Sequence, residues 1–232
     1  MMPRMYAPRP ISGWTPPQLE SLVGAWVSGL SGNVAKLGSW AGQYETTPAM
    51  TLYADAEVTE SGLILDGTGD YAKTPTPVTT AVANVTIAVW SRLTDKAIMR
   101  QCLLENGNGA NNGYSLIVNT EFEYTGRLRA LYGGKRWFTT SQIVASGQWF
   151  HAALVINASS HATVYYNNSI VYTEVSGTAP HPATGSTGIG VSYVYNLTKG
   201  AIDTAYVWNA ALTAAEIADV FNNDPHKRMV GT

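Results

Sequence analysis

Gly200-Ala201-Ile202-Asp203-Thr204-Ala205-Tyr206-Val207-Trp208-Asn209, followed closely by Ala211-Leu212-Thr213-Ala214-Ala215-Glu216-Ile217, joins two periodicities in one stretch. From Ala201 to Trp208 the residues are β-branched, aromatic or small, which suits a strand in a packed sheet. Then the pattern changes. Thr213 and Glu216 form a capping box: the hydroxyl takes the Glu216 amide while the Glu216 side chain reaches back. Ile217, Val220 and Phe221 recur at helical spacing and make an apolar stripe. A strand followed at once by a short capped helix is predicted here.

Upstream, strand signals recur with turn signals between them, the pattern of an all-β sandwich or barrel. Leu63-Ile64-Leu65 runs into the turn Asp66-Gly67. Val85 to Trp90 alternates, with Val85, Ile87 and Val89 on one face. Tyr114 to Val118, Leu128 to Tyr132 and Gly188 to Val194 are further strand candidates. Phe150, Ala152, Leu154 and Ile156 share one face of the strand after Trp149. Thr163 to Tyr166 and Ile170 to Val175 flank Asn167-Asn168-Ser169, a hairpin signal, because Asn tolerates left-handed backbone. Near the start, Thr15-Pro16-Pro17-Gln18 predicts a short helix capped by Thr15, and Leu22 to Val27 predicts the first strand. Residues 28–50, rich in Gly, Ser and Ala, predict a long excursion. The organisation expected is an N-terminal arm and short helix over 1–20, a sandwich over 21–222 and a tail over 223–232.

Composition bounds the function. The chain has 232 residues, of which 13% are charged, about half the ~25% usual in globular domains. Net charge is −2. Basic residues cluster only at Lys135-Arg136 and His226-Lys227-Arg228, too few for the basic field that phosphate backbones require. Nucleic acid is not an expected partner. The single cysteine, Cys102, excludes an intrachain disulfide. The start, MMPRMYAPRPISG, has no apolar signal core, and no run approaches the ~20 apolar residues that span a bilayer. Synthesis in a cytoplasm, without a signal peptide or membrane insertion, is the expectation.

Four segments together resemble the laminin-G-like jelly rolls of the concanavalin A-like lectin and glucanase superfamily. Leu63-Ile64-Leu65-Asp66-Gly67 with Asp70-Tyr71 is similar to the family's opening motif. Val85 to Trp90 is similar to its Trp-ending strand. Gly147-Gln148-Trp149-Phe150-His151 resembles the Trp-x-His strand start, with Val164-Tyr165-Tyr166-Asn167 at the hairpin. Gly200 to Ile217 resembles the closing strand and capped helix. The resemblance covers residues 60 to 222. It departs at the hairpin, where Asn-Ser replaces Gly, and at Thr204, which replaces an acid. It implies an all-β, two-sheet antiparallel jelly-roll sandwich with a short N-terminal helix and a short capped C-terminal helix. It also implies a structural calcium, with Asp66, Asp70 and Asp203 as the carboxylates in the matching segments. Asp66 and Asp70 as turn-formers account for the same residues.

Glucanases of this superfamily carry Glu-x-Asp-x-x-Glu on one strand, and retaining hydrolysis needs two carboxyls ~5–5.5 Å apart. Here Glu121-Phe122-Glu123 is the only local candidate, and no third acid follows. There is no Gly-x-Ser-x-Gly elbow, and His151, His161, His181 and His226 are scattered. Gly107 to Gly113 lacks the Lys-Ser/Thr of a phosphate loop and reads as a flexible inter-strand loop. The chain is therefore expected not to be an enzyme. Sugar binding would use aromatic faces beside amides. Trp137 with Arg136 and Tyr132, the amides Asn111 and Asn112, and the pair Tyr193 and Tyr195 are the candidates, though packing aromatics in strands look alike in sequence.

The opening Leu22 to Ser31 resembles the start of laminin-G-like domains in structural proteins of tailed phages. That resemblance implies a non-enzymatic virion component: a capsid decoration, head-fibre or tail accessory protein located in the virion. It would dock on viral capsid or tail proteins through the arm and the C-terminal tail, with host-surface glycans and a homo-oligomer as further partners. A free carbohydrate-binding lectin module is the alternative, and a glycoside hydrolase the third reading.

Overall fold

The computed structural model describes residues 14–28, 39–40, 47–109, 111–118, 125–175, 177–192 and 197–230. In chain order the strands are β1 (Leu22–Val27), β2 (Ser39–Trp40), β3 (Met50–Tyr53), β4 (Glu57–Thr59), β5 (Gly62–Asp66), β6 (Tyr71–Lys73), β7 (Val85–Leu93) and β8 (Gln101–Asn108). They continue as β9 (Asn112–Val118), β10 (Arg127–Tyr132), β11 (Arg136–Ile143), β12 (Trp149–Ile156), β13 (Ala162–Tyr166), β14 (Ser169–Glu174), β15 (Ser186–Ile189) and β16 (Lys199–Trp208). Helices α1 (Ala214–Asn223) and α2 (Pro225–Val230) follow.

Two eight-stranded antiparallel sheets result. The first runs β14-β13-β12-β7-β16-β5-β4. Beyond β7, its closing strand β16 divides its free edge between two partners. Lys199 to Ile202 pair with β5, and Thr204 to Trp208 pair with β1, with a register shift between Ile202 and Thr204. The second sheet runs β11-β10-β9-β8-β15-β6-β3-β2. The all-β, two-sheet jelly-roll expectation is met.

Alternation assigns the faces. Val85, Ile87 and Val89 of β7, Phe150, Ala152, Leu154 and Ile156 of β12, and Ala205 and Val207 of β16 enter the core between the sheets. The residues between them face outward, yet they are also buried. Ala88, Ala153, Val155, Tyr206 and Trp208 form a second core with Ile217 and Val220 of α1 and with Trp14, Leu22, Ala25, Val27 and Leu212. The middle of the first sheet is thus covered on both faces, which is why its strands read as nearly continuous apolar runs. The predicted capping box holds α1: Thr213 accepts from the Glu216 amide at 3.2 Å, and Glu216 accepts from the Thr213 amide at 2.7 Å.

Of three local expectations, the first is corrected and the other two are refined. The N-terminal helix is a single 3-10 turn, Leu19–Ser21, behind a left-handed Gln18, and no side chain caps it. A proline disfavours helical backbone in the residue before it, so Pro17 opposes a first helical turn at Pro16, the position that Thr15 would cap. Gly107 to Gly113 is the tip of the β8–β9 hairpin, where Gly107 pairs with Gly113 and Asn108 with Asn112. Gly113 has φ 73°, and a Cβ there would collide with the Asn106 carbonyl, so glycine is required. Third, residues assigned to the tail include α2, whose His226 is buried against the first sheet. The Asn167-Asn168 hairpin forms as expected, with φ 46° and 65°.

Candidate functional site

The outer faces of the two sheets differ. On the second sheet, cross-strand pairing places Trp137, Leu131, Ser115, Glu105, Gly188 and Lys73 in one row across β11, β10, β9, β8, β15 and β6. At strand spacings of ~4.8 Å the row is ~24 Å long. At one end Tyr71, Lys73, Glu105, Ser186 and Ser192 border a cleft of about 200 Å3. Gly188 leaves its floor without a side chain. Tyr71 stacks on Tyr53 at 4.4 Å and 16° between planes, and the Lys73 ammonium lies over both rings at 4.8 and 5.5 Å. At the other end Trp137 is 39% exposed, with the Arg129 guanidinium 4.7 Å from its ring centre. The face combines aromatic surface, hydroxyls, a carboxylate and cations.

The residues predicted for sugar binding land in different places. Trp137 is on this face. Arg136 and Tyr132 are not its neighbours, because alternation sends both to the opposite side. Tyr132 is fully buried in the inter-sheet core, edge-on to Phe138, and its hydroxyl donates to the Ser160 carbonyl at 3.3 Å. Burial pushes that phenol's pKa up. Arg136 lies over Phe138 at 5.3 Å and pairs with Glu174 at 3.5 Å. Asn112 ties the hairpin tip to a neighbouring loop: its carbonyl accepts from the Thr184 amide at 2.8 Å, and its NH2 donates to the Thr184 hydroxyl at 2.7 Å. The Asn111 carbonyl is 3.1 Å from His181 Nδ1. Tyr193, Tyr195, Glu121 and Glu123 lie outside the described residues.

Asp66, Asp70 and Asp203 do not converge. Asp70 accepts from the Asp55 and Asp66 amides at 2.9 and 3.1 Å, and burial raises its pKa. Asp66 is an exposed turn carboxylate held down by Thr68. Asp203 lies under α2. Among the described residues no group of three or more His, Cys, Asp or Glu side chains is arranged to hold a metal. Cys102 is buried, and burial pushes its thiol up, away from nucleophilic use.

On the first sheet's outer face, α1 and α2 leave a pocket of about 160 Å3 bordered by Trp90, Trp149, Asn167, Phe221, His226 and Lys227. His226 Nδ1 is 2.6 Å from an Asp203 oxygen, and the Ser28 hydroxyl donates to the other. Asp224 accepts from the His226 amide at 2.8 Å and from the Thr204 hydroxyl at 3.1 Å. Burial raises the Asp224 pKa to about 7. His151, fully buried beside Trp90, is pushed down to about 3 by burial and then by His226, and stays neutral. Ser28 binds the carboxylate and not the imidazole, so this trio lacks the nucleophile–base contact of a hydrolytic triad.

Tyr53, Tyr71, Lys73 and Glu105 escaped the sequence reading. The only signal was the alternation Tyr71-Ala72-Lys73 directly after the Asp70 motif.

Among curated protein sequences none matches this chain. Solved structures do. Domain 4 of AbnA, a GH43 extracellular arabinanase from Geobacillus stearothermophilus solved with arabinotriose, is 18% identical, with TM-score 0.61 over 86% of this chain and 98% of that one. A Trypanosoma rangeli sialidase is 18% identical, with TM-score 0.67 over 89% of this chain and 33% of its own. The receptor binding domain of a botulinum neurotoxin C/D mosaic serotype is 12% identical, with TM-score 0.65 over 88% of this chain and 52% of its own. The chain thus spans a third of the sialidase and about half of the toxin domain. The expectation that the chain is not an enzyme is corrected by these likenesses: parts of glycoside hydrolases share the fold, so the fold gives no ground for excluding catalysis. Among the described residues no helix is long and apolar enough to cross a membrane. Residues 66–218 match the family model Laminin_G_3, the concanavalin A-like lectin/glucanases superfamily, and the chain belongs to that family.

Proposed function

We propose that this chain is a carbohydrate-binding, lectin-like domain that takes one or two sugar rings in the cleft on the outer face of its second sheet. The observation that carries the reading is the cleft at one end of the cross-strand row. Tyr71 offers a flat apolar face to sugar C–H surfaces. Glu105, Lys73, Ser186 and Ser192 offer the directional polar groups that fix orientation. The cleft, about 200 Å3, is below the ~300–1,000 Å3 of drug-sized sites, so it suits one or two sugar rings. The arabinanase domain of the same fold was solved with arabinotriose. A glycan array followed by calorimetry tests this. Tyr71→Ala should weaken the best hit at least tenfold; unchanged affinity would remove the site.

The biological setting we favour is a tailed-phage particle, with the chain as a capsid decoration, head-fibre or tail accessory protein that presents this face to host-surface glycans. The resemblance of Leu22 to Ser31 to phage structural domains supports it. So does a basic, proline-rich start, with no acid in residues 1–13, suited to lying along a capsid or tail protein. Electron microscopy of purified particles should show the sandwich at a repeating position. A free lectin would be recovered only from the soluble fraction, and that result would overturn the virion setting.

A further inference from the structure

The pocket over the first sheet has buried polar atoms without partners. His226 is 2% exposed, its Nδ1 is held by Asp203, and its Nε2 is buried with no hydrogen-bond partner. The Trp90 indole N–H is likewise buried and unmatched. The Asn167 carbonyl is occupied by the His151 amide at 2.8 Å, which leaves its NH2 as a donor. One cation, Lys227, lines the pocket, and a second, Arg92, lies against its Trp149 wall. The Lys227 ammonium lies 4.5 Å from the Phe221 ring centre and 5.5 Å from that of Trp90. The Arg92 guanidinium lies 5.1 Å from that of Trp149. Neither cation pairs with a carboxylate among the described residues. The carboxylates nearby, Asp203 and Asp224, are already engaged by Ser28, His226 and Thr204.

Unmatched buried polar atoms cost ~1–3 kcal/mol each: the Trp90 N–H and the Asn167 NH2 call for an acceptor, while His226 Nε2, whose ring gives its Nδ1–H to Asp203, calls for a donor. Two unpaired cations beside them select an anionic acceptor. The walls are aromatic, and the volume, about 160 Å3, suits one ring. We propose that this pocket is a second binding site, on the sheet opposite the glycan cleft, for a monosaccharide-sized sugar acid. Its carboxylate sits between Lys227 and Arg92. Its ring lies against Trp149 and Phe221. A ring hydroxyl donates to Nε2 of the His226 imidazole, which Asp203 orients. Hydroxyls on the ring distinguish a sugar acid from a plain aromatic acid, because Asn167 and His226 offer more polar contacts than one carboxylate can use.

The test is titration of the whole chain with glucuronate, read by the indole N–H signals of Trp90 and Trp149 in proton–nitrogen NMR spectra. Saturable shifts at both signals are expected, with glucose and benzoate each at least tenfold weaker. Lys227→Gln and Arg92→Gln, both at partly exposed positions, should each weaken glucuronate at least fivefold, and added salt should weaken the parent. Tyr71→Ala should leave glucuronate binding unchanged, which keeps this site separate from the glycan cleft. Glucose binding as well as glucuronate would overturn the anionic assignment, and benzoate binding as well would overturn the sugar. Absence of shifts at the two indoles, or full affinity in both cation variants, would overturn the site.

Discussion

The two outer faces of this sandwich have the same strand geometry and opposite fates. The first sheet is roofed by α1, and its outward residues make a second apolar core. The second sheet sets an exposed Trp137, half-buried Tyr71 and Lys73, and Glu105 along its outward row. The difference teaches where the fold keeps its freedom. A face closed by a helix is bound by packing, and its residues answer to stability. On the second sheet only the ends of the outward row are accessible: Trp137 is exposed and Tyr71 and Lys73 are half-buried, while Leu131, Ser115 and Glu105 between them are buried, so the freedom to answer to a ligand lies at those ends.

That contrast can be broken most sharply through α1. Ile217 and Ile87 are both fully buried, one under the roof and one between the sheets. Ile217→Ala should cost ~2–5 kcal/mol in urea unfolding, the same range as Ile87→Ala, if the second core belongs to the cooperative unit. A cost near zero for Ile217→Ala alone would make the helix an appendage.

The next effect is in pH. Burial raises the Asp224 pKa in the folded chain to about 7, from an ordinary 3.8. Its protonated form is therefore favoured by folding. That contribution is fully present below about pH 4 and is lost as pH rises to about 7. Asp224→Asn, which cannot ionise, should gain in melting temperature relative to the parent between pH 4 and pH 8. A constant difference across that range would show that Asp224 titrates normally. His151, held near 3, acts in the other direction, losing its contribution as pH falls below 6.5, so the comparison must be variant against parent at each pH.

The smallest effect belongs to the accessible end of the second sheet's row. Lys73→Ala should change stability by no more than ~0.5 kcal/mol, as surface substitutions do. A loss as large as that of Ile217→Ala would mean that both faces are structural.

Much of the fold was legible because the middle strands carry clean signals. β7, β12 and β16 alternate or run continuously apolar, and Thr213-Glu216 announces α1. β8 was harder: a register shift between Cys102 and Leu104 interrupts the alternation, and its Asn-Gly end mimics a loop. β3 and β6 have four and three residues, too few for periodicity to show. The site was less legible for a topological reason. Tyr71, Glu105 and Ser186 sit on strands distant in sequence that become neighbours only because β15 inserts between β6 and β8. Trp137 was found as an aromatic, while Arg136 was misgrouped with it because one residue along a strand is the opposite face.

The division of β16 between two partners has a consequence for synthesis. This strand sits between β7 on one side and β5 with β1 on the other, yet it is the last strand of the described chain to leave the ribosome. Until it arrives, β1 has no partner in its sheet, and β5 and β7 each show an unpaired edge, the kind of surface that invites pairing with other chains. The sheet therefore cannot close in step with translation. It must wait, exposed, for nearly the whole domain to emerge, as folds dominated by non-local pairing do. Chains that stop before Lys199 would carry those open edges permanently, which makes premature termination a route to aggregation for this protein.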